Sequence, residues 1–152
     1  MTPAERLAEL GITLPSVAAP AGAYVPARRS GNQVWTAGQV PFVDGKLPAT
    51  GKVGAEVDAD TAKDLARTCA LNALAAVDAL VGLDSVTAVV KLVGFVASDP
   101  AFTGQPGVIN GASELMAEVF GEAGAHARSA VGVAVLPLDA PVEVELVVEV
   151  AG

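Results

Sequence analysis

The stretch His126–Val150, HARSAVGVAVLPLDAPVEVELVVEV, decides how this chain is read. Two runs of small and β-branched residues flank the turn PLDAP, so it reads as two strands, about Arg128–Leu136 and Val142–Val150. In the second, Val142, Val144, Leu146, Val148 and Val150 alternate with Glu143, Glu145, Val147 and Glu149. Successive strand side chains point to opposite faces, so one face is apolar and the other carries carboxylates. The first strand opens on Arg128, a cation at the mouth of an apolar run, in a chain with only nine Lys and Arg. A charge in that place needs water, an ionic partner or a ligand.

Upstream, Ala62, Leu65, Ala66, Cys69, Ala73, Ala76, Val77 and Leu80 recur at helical spacing. This helix is capped by Asp60 or Thr61, with Asp64 in its first turn, and ends at Gly82. Ser85–Ser98, SVTAVVKLVGFVAS, is apolar on both alternating faces and reads as a central strand buried on both sides. A second helix runs from about Asn110, with Leu115, Met116, Val119 and Phe120 inward and Gly121 at its end. Before the first helix, QVWTAGQVPF is a strand stopping at Gly38 and Pro41, and Asp44-Gly45 marks a hairpin followed by an irregular crossing. The segment from Leu10 to Asn32, rich in Pro, Ala and Gly, is extended or looping. The order strand, helix, strand, helix, strand, strand predicts one α/β (α+β) domain, a sheet with two helices packed on one face. The uncovered face must meet water or another subunit.

Composition points the same way. At 52% hydrophobic but only 4% aromatic residues, the interior must be built from Ala, Val and Leu, leaving more apolar surface than a small monomer easily hides. An oligomer is expected. A net charge of −8 disfavours a phosphate backbone as partner, and the densest basic spot, ARR at Ala27–Arg29, reads as a solvated loop. The single Cys69 lies in the helical stripe as a buried, inert thiol. One His and one Cys make no metal cluster. With no apolar run of membrane length, and an amphipathic N-terminus unlike a signal peptide, the chain reads as soluble and cytoplasmic.

Arg128 is the leading candidate for chemistry, because its planar guanidinium matches a carboxylate; a structural ion pair with a glutamate is the competing reading. Glu143 positions a water if it lies beside substrate, and is otherwise a solvated strand residue. Tyr24, in the AGAY turn, offers a hydroxyl to a ligand or packs its loop. Asn110 stands where a helix N-cap belongs. His126 lacks the partners of a recognisable triad, and GQPGVING lacks the ending of a phosphate loop.

Three segments, in order, resemble the Rid/YjgF family, also called the endoribonuclease L-PSP family. They are AGAYVPARRSGNQVW, WTAGQVP, and ARSAVGVAVLPLDAPVEVEL. The resemblance runs from about Ala19 to the end and makes residues 1–18 an N-terminal extension of a single domain over 1–152. It implies a chorismate-mutase-like fold with a mixed sheet, a homotrimer with ligand sites between subunits, and RidA-like hydrolysis of 2-imino acids to 2-keto acids and ammonia without metal or organic cofactor. Arg128 matches the arginine that grips the substrate carboxylate, and Glu143 the glutamate that orients water. Tyr24 matches the pocket tyrosine; Gly38 and Ala130 match positions whose backbone contacts ligand. Asn110 falls near the pocket asparagine. Ala23, Ala37 and Ala130 stand where proline, serine and cysteine are common, and the stretch Thr103–Ala127 is longer than in the deaminase pattern, which marks a side branch. Some members are described as ribonucleases, against which the acidity here argues. A small-carboxylate binding or sensing protein using the same cleft is the alternative.

If the final two strands form a hairpin about PLDAP, Glu143 lies opposite Val135 and about 20 Å from Arg128. A site using both then needs Glu143 from a neighbouring subunit.

Overall fold

The structure, a computed structural model, describes residues 1–20 and 22–152. Helix α1 (Pro3–Glu9) precedes a short hairpin of β1 (Ala27–Ser30) and β2 (Gln33–Thr36), turned by Gly31 at φ 60° and Asn32. The long helix α2 (Ala59–Val81) leads into β3 (Val86–Ala97), then α3 (Gln105–Phe120), β4 (Ala127–Val133) and β5 (Val142–Val150). The Ala27–Arg29 spot is thus part of an edge strand and not a loop, although both arginines are exposed. The Asp44-Gly45 hairpin is present as a single bridge, Val43 to Lys46, with both turn residues at positive φ as a two-residue hairpin turn requires.

One five-stranded mixed sheet has the order β1-β2-β5-β3-β4, with only β3 and β4 parallel. This corrects the hairpin expected of the last two strands. Strand β3 lies between β4 and β5, because α3 is a crossover that returns the chain parallel to β3. The connection through Pro137–Asp139 then passes the end of β3, bending at Leu138 (φ 60°) and Asp139 (φ 58°), and delivers β5 to its far edge. The middle strand of the sheet is therefore β5, not β3. On β3 the helix-side residues are buried, whereas Val90 on the other side is 38% exposed.

The β5 alternation works as read. Val142, Val144, Leu146, Val148 and Val150 are all buried beneath the helices. Leu74 from α2, and Ile109, Leu115 and Met116 from α3, are buried in the same core. Cys69 is wholly buried there, as expected.

Both helix starts shift from expectation. The cap of α2 is Asp58, whose carboxylate accepts from the Thr61 amide at 2.7 Å; that bond holds its carboxyl below the usual range. The α3 helix begins at Gln105, so Asn110 lies inside it and caps nothing. Glycines made this first turn and a half look like loop. Gly111 has a packing reason: a Cβ there would lie 2.0 Å from the Lys63 carbonyl oxygen of α2, so only glycine lets the two helices approach this closely. The N-terminal helix is tied down as well, with a Thr2/Glu5 capping box and Arg6 Nε donating to the Glu118 carbonyl of α3. Among the described residues, no helix is long and apolar enough to cross a membrane.

The two α3 glycines separate packing from propensity. Gly111→Ala forces the helices apart and should destabilise by about 1–3 kcal/mol. Gly107 has open space around it. Gly107→Ala should leave stability unchanged or raise it by about 0.5–1 kcal/mol. Chemical denaturation of the two variants side by side checks the contrast.

Candidate active site

Glu143 lies one residue beyond a break in the pairing of β2 with β5. The ladder runs to Trp35 opposite Val147 and resumes at Gln39 opposite Val144. Between them the Thr36 hydroxyl accepts from the Leu146 amide at 3.0 Å in place of a backbone carbonyl. The freed residues lay Gly38 directly over the Glu143 carboxylate. A Cβ on Gly38 would stand 2.8 Å from the carboxyl carbon, so any larger residue there would push the Glu143 carboxylate aside. The cavity beside them, about 340 Å³, is lined by Tyr24, Gly38, Val40, Phe42, Leu138 and Glu143. Tyr24 is half exposed at its rim; Ala21, the first residue of its AGAY stretch, lies outside the described residues.

Two anchors shape this cavity that sequence reading did not single out. Buried Asn72 of α2 donates to the carbonyls of Val40 and Phe42, both at 3.1 Å, and pins one wall. On the other side Lys52 pairs with Asp139, and the Gly51 amide donates to the Asp139 carbonyl, holding the left-handed turn that presents Leu138. A polar residue inside the apolar stripe of a helix, as Asn72 is, was the available signal.

Burial pushes the Glu143 carboxyl up from its ordinary range, and the neighbouring charge of Glu145 adds to the shift. Burial also raises Glu145. The Cys69 thiol is pushed well up, first by burial and then by Glu143, and it donates to the Val142 carbonyl at 3.7 Å. It stays protonated and unreactive.

Arg128 occupies a different place. It is level with Leu92 of β3 and shares its helix-facing side. Nη1 donates to Asn110 Oδ1 at 2.7 Å and to Ser113 Oγ at 3.2 Å, and Nη2 reaches the Pro106 carbonyl at 3.4 Å. Every one of these acceptors is neutral. Among the described residues no carboxylate pairs with Arg128, so the ion-pair reading has no partner to offer. Two donors, Nε–H and one on Nη2, are left over from the five of a guanidinium. Asn110, expected as a cap, is instead an acceptor for the arginine. Ala130 follows two residues along the same face, level with Gly94. Ser113 and His126 complete the cluster, 2.9 Å apart. Sequence reading missed both as arginine partners, though Asn110 and Ser113 share a helix face at i, i+3, and His126 and Arg128 share a strand face at i, i+2.

The register separates the two groups. Arg128, Leu92 and Leu146 lie level across β4, β3 and β5, as do Val131, Phe95 and Glu143. Arg128 and Glu143 are thus three residues and two strands apart, about 14 Å in the plane of the sheet, replacing the 20 Å of the hairpin expectation. More decisively, they face opposite ways. Glu143 shares the uncovered face with Trp35 and Val131, which are 54% and 44% exposed. One chain therefore does not present both side chains to one small molecule.

Comparisons with known proteins agree with this architecture. Residues 4–150 match the family model described as "YjgF/chorismate mutase-like, putative endoribonuclease". Protein TCP17 of Trypanosoma cruzi is 49% identical over 96% of this chain and 92% of its own length. The crystal structure of Atu1372 from Agrobacterium tumefaciens, a protein of unknown function, is 49% identical, covers 97% of this chain and 91% of its own, and superposes with a TM-score of 0.89. Escherichia coli TdcF, crystallised with bound serine, is 27% identical over 91% of this chain and 96% of its own, with a TM-score of 0.66. With its mixed five-stranded sheet, one-sided helices and a family match over nearly its whole length, the chain belongs to the YjgF/chorismate-mutase-like family.

Proposed function

We propose that this protein is an enamine/imine deaminase of the RidA type, working as a homotrimer in clefts between subunits. It would convert a small 2-imino acid and water to the 2-keto acid and ammonia. The observation that carries the reading is the division of labour across the sheet. One face holds a guanidinium with neutral partners and two unspent donors, and the other holds a half-buried carboxylate with a raised proton affinity. Packing the apolar open face of one copy against a neighbour would hide Trp35 and Val131, and a shared site forms if the β4 edge that carries Arg128 of one subunit meets the open face that carries Glu143 of the next.

In such a cleft Arg128 grips the substrate carboxylate and fixes the imine carbon. Glu143, ionised, accepts a proton from water as its oxygen bonds to that carbon. Glu143 returns that proton to the imine nitrogen, giving the carbinolamine; the carbinolamine hydroxyl proton then passes to nitrogen as the C–N bond breaks, which releases ammonia and leaves the ketone. Tyr24 closes the rim, and the backbone at Gly38 and Ala130 lies against the ligand, with Asn110 steadying the arginine. The relative crystallised with serine supports a pocket for a small acid bearing an α-nitrogen. A binding protein without turnover would use the same cleft, and substrate-dependent ammonia release distinguishes the two. The net charge of −8 argues against RNA as the main substrate.

Three outcomes test this reading. Arg128→Lys keeps the charge but loses the fork, and should weaken binding of 2-keto acids by about 1.5–3 kcal/mol in calorimetry while the fold is retained. Arg128→Ala and Glu143→Ala subunits, inactive alone, should recover part of the imine-hydrolysing activity once exchanged into mixed trimers. No recovery despite proven exchange removes the shared site, and a sedimenting species of 15.1 kDa alone removes the trimer. The pH profile is the third. Glu143 must be ionised to act, so kcat/KM should fall on the acid side at a pH above the ordinary glutamate value of 4.5. Glu145→Gln removes the like charge and should move that limb to lower pH.

A further inference from the structure

The cluster around Arg128 has a direction. His126 Nδ1 lies 2.6 Å from the Gly124 carbonyl, which can only accept, so Nδ1 carries the proton. In the neutral ring Nε2 is then an acceptor, and the Ser113 hydroxyl, 2.9 Å away, donates to it. With its hydrogen turned to the imidazole, Ser113 Oγ presents lone pairs to Arg128 Nη1 at 3.2 Å. Asn110 Oδ1 takes the other Nη1 hydrogen at 2.7 Å. Both hydrogens of Nη1 are thereby spent on neutral acceptors. The Nε–H, on the opposite edge of the fork and beside Nη2, is left without a partner among the described residues.

We infer that Ser113 and His126 are positioning residues: they form a proton-ordered chain, Arg128 to Ser113 to His126 to the Gly124 carbonyl, which turns the Nε/Nη2 edge of Arg128 toward a carboxylate ligand. Without the imidazole acceptor the serine hydroxyl hydrogen loses its fixed partner, Ser113 Oγ is no longer held in place against Nη1, and the aim is lost. The chain adds no charge, so the arginine keeps its full attraction for an anion. The inference rests on Arg128 as the carboxylate anchor.

The single histidine of the chain makes the test direct. Imidazole proton–nitrogen correlation spectra should show one neutral tautomer with the proton on Nδ1; a proton on Nε2 overturns the chain. With pyruvate as probe, His126→Phe and Ser113→Ala should each raise Kd roughly tenfold, the equivalent of one oriented hydrogen bond. The double variant should be no weaker than either single one, because both break the same chain. His126→Gln, whose Oε1 accepts where Nε2 did, should restore affinity, a rescue that a merely structural role would not produce. If Arg128→Lys loses pyruvate while His126→Phe and Ser113→Ala bind as the unaltered protein does, this inference falls and the anchor stands. If Arg128→Lys binds pyruvate undiminished, the anchor falls and takes the chain with it.

Discussion

The alternation of valine and glutamate along β5 is the constraint on which the rest of the structure depends. Because β5 is the middle strand, its apolar side chains set the floor of the core, and α2 and α3 must both settle over that face. The glutamates are then committed to the other face without choice. Two of them, Glu143 and Glu145, end up partly buried beside apolar neighbours, where ionisation is disfavoured, and the charge of Glu145 adds to the shift of Glu143. A glutamate whose pKa rises on folding destabilises the native state as pH climbs from the unfolded value through the folded one. Such an arrangement makes sense where a proton acceptor with raised affinity is useful, and the Glu143 carboxylate lies against the backbone at Gly38.

The opposite face obeys a different logic. A crossover helix needs room between strand and strand, and α3 approaches α2 through Gly111 rather than through interlocking large side chains. That approach brings the polar edge of α3, Asn110 and Ser113, to the start of β4, where Arg128 emerges at the sheet edge. Among the described residues the arginine meets amide, hydroxyl and carbonyl oxygens and no carboxylate. A guanidinium held by dipoles alone is positioned but not neutralised, which suits an anion site and would be a poor structural bridge.

How legible was this in the sequence? The identity and order of the principal elements were, since each carries a clear period: the small-residue stripe from Ala62 to Val77, the apolar run from Val86, the strict alternation from Val142; Leu80, expected on the same helix face, is 46% exposed. The face assignments within β5 followed from that alternation alone. Helix ends were less legible, because Asp58 and Asp60 are equally good cap types and only the geometry shows which carboxylate reaches the Thr61 amide. The first turns of α3 were hidden by Gly104, Pro106 and Gly107, residues that local propensity assigns to loops.

Local pattern, then, determined the periodic elements, the buried thiol of Cys69 and the sidedness of the valines and glutamates, because those depend on neighbours within a few residues. Only the tertiary structure decided that β3 separates β4 from β5, that Arg128 and Glu143 face opposite ways, and that Asn110 serves an arginine rather than a helix end. The reason is physical. Strand order and partner choice are set by how a crossover helix packs and where a connection such as Pro137–Asp139 can pass, and those contacts join residues far apart in the chain. No local period records them.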